Sequence, residues 1–263
     1  MDIKELESLI RKSLDKFYER RINKLSGLKL RHTLRKKNPY LFRAIGIQKA
    51  SEIVERLLRD YMSSSDEGIF GDAFFEPIAK LVSGGHVSPS DGVDVAIETA
   101  KAYKAISVKS GPNIFNSSQS KRMNDEFLTL RSRMFKLHKQ FDALLGHGYG
   151  RKWSEPSAKR IYRIRAGQVF WEELTGDSDF YLKLIRLMKD YPTKHRLQFE
   201  EQWSKAINRF ELEFLKDFAT SDGGIDWEKL TNFNSSVNSP KSKKSKHKAS
   251  KRSRRKTSKR DAR

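Results

Sequence analysis

The residues best suited to chemistry are Asp94 and Lys109, fifteen positions apart in the segment PSDGVDVAIETAKAYKAISVKSGPNIF, residues 89–115. A carboxylate supplies the anionic oxygen that a hard cation such as Mg²⁺ prefers. An ammonium beside it can hold an attacking water and offset the charge that builds on a phosphate. Together they suit metal-assisted hydrolysis of a phosphodiester, provided that both reach the same place. Taken alone, an Asp and a Lys on strands more often form a solvated ion pair.

The pattern around them brings the two together. Val93, Val95 and Ile97 alternate with Asp94, Ala96 and Glu98, while Ile106 and Val108 alternate with Ser107 and Lys109. A period of two marks a half-buried strand, with one face core and the other polar. Paired as a hairpin about residues 100–102, the strands set Asp94 opposite the 107–109 end, about 5 Å away.

Helices must hold this hairpin. In residues 2–25 the apolar positions Ile3, Leu6, Ile10, Leu14, Phe17 and Leu25 recur mostly at spacings of three and four, an amphipathic helix that Gly27 ends. The basic stretch LRHTLRKKNPY follows, with Arg31, Arg35, Lys36 and Lys37 available to phosphates, and Asn38-Pro39 is expected to break the chain. A second helix is expected over residues 47–62, ended by the serines at 63–65. The next helical stretch, residues 69–82, carries Glu76 ahead of Pro77, so a new turn or a kink is expected there. A glycine loop with His86 leads from it into the Asp94 strand.

Beyond Lys109, Asn116, Ser117 and Ser118 offer a helix cap and uncharged groups for DNA phosphates or base edges. Met123, Phe127, Leu130, Met134, Leu137, Phe141 and Leu144 then step by four and three, which predicts one long helix with a core-facing stripe. The glycine-rich run at 146–151 lacks the preceding strand and the GK[ST] ending of a nucleotide loop. It reads instead as a mobile segment presenting Tyr149 and Arg151 to a DNA groove or backbone. Residues 161–165 alternate as a further strand, and two short helices are expected in 167–191, the second capped by Asp177 or Ser178. Trp171 and Tyr181 read as packing residues. A long helix over 193–218 and a last helical turn near 226–230 complete the folded part.

Composition narrows the class. No apolar run approaches the roughly 18 residues of a membrane span, and the charged start MDIKELESLIRKSL lacks the apolar block of a secretory signal. The absence of cysteine excludes disulfides, thiolate zinc sites and a cysteine nucleophile, and the bacterial cytoplasm is the natural expectation. The formal net charge is +21. From Lys241 onward thirteen Lys and Arg face the single Asp261, yet the rest of the chain is basic on its own. A basic body suits a polyphosphate partner. The serine-rich, lysine-rich tail has almost nothing apolar and is expected to be disordered.

Several unusual strings around the hairpin coincide with one known group. GIFGDAFFEPIAKLVSGG (68–85), VKSGPNIFNSS (108–118), LLGHGYGR (144–151), GQVFWEELTGDSDFY (167–181), INRFELEF (207–214) and GGIDWEKL (223–230) occur in this order. Over roughly residues 38–236 the chain thereby resembles the PmeII-type family of type II restriction endonucleases, in the PD-(D/E)XK nuclease superfamily. The resemblance implies a Mg²⁺-dependent enzyme that cuts both strands of duplex DNA at a short, palindromic site. It also implies a cognate methyltransferase that protects the host DNA. A two-fold target suggests a homodimer.

One feature departs from the superfamily pattern. At its acidic-X-Lys step this chain reads Ser107-Val108-Lys109, and a serine hydroxyl is a weak Mg²⁺ ligand. Another acid must complete the metal shell. Glu98 lies four strand positions from Asp94, about 13 Å away, and is too far. Glu76 on the preceding helical stretch is favoured, with Glu126 at the start of the next helix as the alternative.

The expected fold is therefore α/β: a restriction-endonuclease-like core with a small mixed β-sheet flanked by helices, extended by helices at both ends. Residues 1–45 would form an N-terminal helix and basic connector, 46–234 the nuclease domain, and 235–263 the basic tail. Two other readings of the same residues are a DNA-binding protein whose nuclease chemistry has decayed, motivated by Ser107, and a structure-specific junction resolvase.

Overall fold

The computed structural model describes residues 2–112 and 116–236. The chain opens with α1 (Ile3–Ser26), whose N-cap Asp2 accepts a hydrogen bond from the Lys4 amide. Short helices α2 (Leu30–Leu34) and α3 (Pro39–Ala44) follow, then α4 (Ala50–Phe70), a π-helical turn (Gly71–Phe75) and α5 (Glu76–Ser83). Strands β1 (Val95–Glu98) and β2 (Ala102–Lys109) precede α6 (Ser117–Lys136). Then come β3 (Gln140–His147), β4 (Trp153–Ser154), β5 (Arg163–Ala166), α7 (Gln168–Thr175), α8 (Phe180–Met188), α9 (Tyr191–Phe218) and α10 (Trp227–Ser235).

The strands make one five-stranded mixed sheet in the order β1-β2-β3-β5-β4. The expected hairpin is present: β1 and β2 are antiparallel, Val95 pairs with Ile106, and Thr99 and Ala102 close the turn through their backbones. β3 runs parallel to both β2 and β5, and β4 closes the edge antiparallel to β5. A parallel step requires a crossover. α6 supplies it between β2 and β3.

Helices cover both faces of the sheet. On one side Leu6, Ile10 and Leu14 of α1, Phe74 and Phe75 of the π-turn, Ile78 of α5, and Phe170, Trp171 and Phe180 pack on Val95, Ile106, Val108 and Leu144. On the other, Met123, Phe127, Leu130 and Met134 of α6 cover Ala96, Ala105, Ala143 and Leu145. The helices α2, α3, α4, α9 and α10 enclose a third cluster around Leu57, Phe210 and Phe214. Burying a Phe or Leu side chain contributes about 1.5–3 kcal/mol, so these clusters set the positions of the strands between them.

The structure corrects five local expectations. The helix expected to run through Leu144 stops at Lys136, and residues 140–147 are β3, the middle strand of the sheet. A run such as FDALLG fits a buried strand as well as a helix, since periodicity alone does not separate them. Leu137 leaves the stripe at 58% exposed, and His138 turns the chain at φ 54°. The hairpin is not half-exposed, because α6 also covers its second face and Ala96, Ala105 and Ser107 are buried. The serines at 63–65 do not end a helix; α4 continues to Phe70, since tertiary packing outweighs their modest propensity.

Asn38-Pro39 starts a helix instead of breaking the chain. Asn38 caps α3 by accepting from the Leu41 amide, and Pro39 occupies the first turn, where no amide donor is needed. The glycine-rich run 146–151 is not a free segment either. A Cβ on Gly146 would lie 2.0 Å from the Phe170 ring, and one on Gly148 2.4 Å from the Phe75 ring, so these glycines permit close packing. The expected basic tail lies outside the described residues, as do Asn113, Ile114 and Phe115.

Candidate active site

The site forms where β1, β2 and the π-turn meet. Asp94 immediately precedes β1, and its amide donates to the Ile106 carbonyl, extending the hairpin by one residue. Its carboxylate turns toward the end of β2. There Oδ2 accepts from the Val108 amide at 2.6 Å, the Lys109 Nζ at 3.0 Å and the Ser107 hydroxyl at 3.3 Å. Asp94 and Lys109 thus converge as their alternation in the sequence predicts. Ser107, at 1% exposed, is a buried support for Asp94. All three donors use Oδ2.

Glu76 arrives from the other side. The π-turn ends at Phe75, and Glu76 with Pro77 opens α5, so the expected break at this proline is a change of helix type. Such turns insert an extra residue and re-aim the side chains that follow. Gly71 allows the approach: a Cβ there would sit 3.2 Å from the Ser110 amide, just beyond β2. Glu76 Oε1 then lies 4.0 Å from Lys109 Nζ, which leaves Lys109 between two carboxylates.

The charges in this cluster do not balance. Burial first, then the negative charge of Asp94, pushes the Glu76 carboxyl up to about 7; Lys109 opposes the rise, and Asp72 adds to it. Asp72 lies within hydrogen-bond reach of Glu76 and has Arg20 as a distant ion-pair partner, at 3.8 Å. As pH rises above neutral, two carboxylates therefore compete for one ammonium.

A divalent cation would relieve that competition. Among the described residues no group of three or more Asp, Glu, His or Cys side chains encloses a metal position. Two carboxylates with solvent beside them nevertheless fit Mg²⁺, which keeps several of its waters and takes one or two carboxylates. They do not fit a closed zinc site. Asp94 and Glu76 are the residues that could hold such an ion.

The other sequence candidates stand apart. Glu126 is ion-paired with Arg122 at 2.8 Å, and its Oε2 lies against Gly92, two residues before Asp94 in the chain. Glu98 pairs with Lys139 at the opposite end of β1. Asn116 makes a full capping box with Gln119, and the Ser118 hydroxyl donates to the Asn116 side chain at 3.1 Å. Tyr149 donates to Glu67 at 3.2 Å, and Arg151 is exposed in a cleft with Trp153 and Tyr181. Of the basic connector, Arg31 pairs with Asp217 and Lys37 with Asp60. Asp177 accepts from the Asp179 amide just ahead of α8, and Trp171 is fully packed, its indole N–H donating to the Gly148 carbonyl.

Three residues near the site were not singled out by sequence reasoning. Asp72 contributes to the field at Glu76, and Arg165 supports the exposed Trp153 ring at 5.0 Å. His147, at 1% exposed, pairs in register with Lys109 across β2 and β3. Neither of its ring nitrogens has a partner among the described residues. Only a correct placement of β3 could have found it.

Comparison with known proteins supplies a family. Residues 4–196 match the family described as type II restriction endonuclease EcoO109I. No curated protein matches. The match supports the expected class of restriction endonucleases without singling out the PmeII type.

Proposed function

The chain belongs to the EcoO109I family of type II restriction endonucleases, and from that premise we propose that it hydrolyses phosphodiester bonds on both strands of duplex DNA at a short specific site, with Mg²⁺ as cofactor. The observation that carries this reading is Lys109 Nζ held 3.0 Å from Asp94 and 4.0 Å from Glu76, with one carboxyl left short of positive charge.

Asp94 and Glu76 would hold the Mg²⁺, and Ser107 and the Val108 amide orient Asp94 by donating to it. When bound, the ion supplies Lewis-acid activation of water and of the phosphate. Lys109 orients the attacking water and offsets charge on the phosphate oxygens. Glu126 is the alternative acid, from its position against Gly92. Asn116, Ser117, Ser118, Tyr149 and Arg151 are the proposed DNA contacts. A two-fold site would be served by a homodimer with one centre per strand, and host DNA by a cognate methyltransferase.

The test is digestion of plasmid by the purified chain with Mg²⁺. Discrete fragments that disappear in Asp94→Ala support the nuclease. Intact but retarded plasmid would favour a DNA-binding protein that has lost its chemistry, the reading that Ser107 motivates. Cutting confined to branched DNA would favour a junction resolvase.

A further inference from the structure

A second cleft, of about 430 Å³, opens beside the site between the start of α6, the end of β3 and residues 152–160. Its lining includes Lys121, Lys152, Lys159 and Arg160 and contains no carboxylate. None of the three lysines enters an ion pair among the described residues, and all three line this one cleft. Like charges gathered in this way cost free energy unless an anion joins them.

A second observation points the same way. His147 lines the cleft, 99% removed from solvent, with neither ring nitrogen hydrogen-bonded among the described residues. Buried polar atoms without a partner are rare and costly, and they often mark a place where a ligand completes the pairing. The Ser117 and Ser120 hydroxyls add donors at the first turns of the 20-residue α6, where exposed amides also favour negative charge. Burial first, then the field of Lys152 and Lys109, holds His147 down to about 4, with the Gly111 backbone opposing them, so the ring is neutral at physiological pH and keeps one N–H to donate.

We infer that this cleft is a phosphate subsite, holding a DNA backbone phosphate that flanks the one positioned at Lys109. The assignment rests on the nuclease reading for its source of phosphate. His147 and Lys109 are register partners on adjacent strands, about 4.8 Å apart. Successive phosphates of one DNA strand follow one another closely along the backbone, so groups on neighbouring strands of the sheet can contact consecutive phosphates. The His147 ring nitrogens are closed to solvent, so neighbouring side chains of the cleft must move for the imidazole to pair. Such a contact fixes the register of the duplex over Asp94 and Lys109 without reading sequence.

Two measurements on the full chain test it. In the first, inorganic phosphate is titrated while the imidazole resonances of His147, assigned by their loss in His147→Asn, are followed by NMR. A saturable shift that disappears in Lys121→Ala/Lys159→Ala is expected; no shift, or the same shift in the double variant, overturns the phosphate subsite. In the second, affinity for a duplex carrying the mapped cleavage site is measured against salt in the presence of Ca²⁺. The double variant should lower the slope of log K on log salt by about 1, for the loss of one phosphate contact, with the paired surface residue Lys205→Ala as unchanged control. An unchanged slope overturns the DNA backbone as the source. If plasmid is not cut at all, the nuclease reading fails, while the phosphate titration still decides the cleft.

Discussion

Two clusters of acidic and basic side chains sit on the same sheet and differ in one respect. Around Glu173, three cations meet three carboxylates: Lys104 at 2.7 Å and Arg163 at 2.8 Å reach Glu173, Arg163 also reaches Asp142 at 2.5 Å, and Arg165 bridges Glu173 and Glu155. Burial alone would raise the Glu173 carboxyl, but its hydrogen bonds to Arg163 and Lys104 more than compensate and hold it below its usual range. At the candidate active site Glu76, Asp94 and Asp72 have, among the described residues, only Lys109 and Arg20 as ion-pair partners, and Glu76 rises to about 7. A balanced cluster stabilises the fold. An unbalanced one is where the proposed Mg²⁺ would add the missing positive charge.

Each substitution below breaks or sharpens that contrast. The largest effect belongs to Asp94→Ala and Lys109→Ala, which should lower plasmid cleavage on the order of 10³-fold, the scale for losing a group that stabilises developing charge. Circular dichroism should show the fold retained. Next is Arg163→Ala, which strips Asp142 and Glu173 of their main partner. It should cost roughly 2 to 3 kcal/mol in urea unfolding, below the range for a fully buried pair because these groups keep some water. The stabilisation from Glu173 should be present above the ordinary carboxylate pKa and vanish as pH falls through its lowered value.

The opposite sign is expected at Glu76. Its raised folded value means that the folded chain binds more protons than the unfolded one between about 4.5 and about 7, so stability falls as pH rises across that window. Glu76→Gln should therefore stabilise the metal-free chain at pH 8, by about 1 to 2 kcal/mol, with the gain disappearing at pH 4. The same variant should weaken Mg²⁺-dependent cleavage, and wild-type cleavage at limiting Mg²⁺ should climb as Glu76 loses its proton. A destabilised Glu76→Gln at pH 8 would mean that the two clusters are alike. The smallest effect is that of Ser107→Ala, which removes one 3.3 Å hydrogen bond from an Asp94 that keeps two others. About 1 kcal/mol of stability and less than tenfold in rate should be lost.

Much of this arrangement was legible in the sequence because it is local. The alternation on both sides of residues 99–101 was enough to pair Asp94 with the end of β2, and the four-and-three spacing gave α1 and the first part of α6. Glu76 ahead of Pro77 was readable as a break, though not as a π-turn. β3 was missed because Phe141 and Leu144 continue the spacing of α6, and a strand buried on both faces has no polar alternation to betray it. With β3 misread as helix, His147 could not be seen beside Lys109, nor Gly146 and Gly148 as packing residues.

The sequence by itself determined which side chains share a strand face or a helix stripe, and so which acid meets which base in the hairpin, because each depends on the short repeat of the backbone. Tertiary structure alone decided the parallel neighbour of β2, the approach of Glu76 to Lys109 and the charge that Glu76 carries. Strand pairing across a 20-residue crossover helix and electrostatic fields in a partly dry site depend on distances through space, which residue order does not encode.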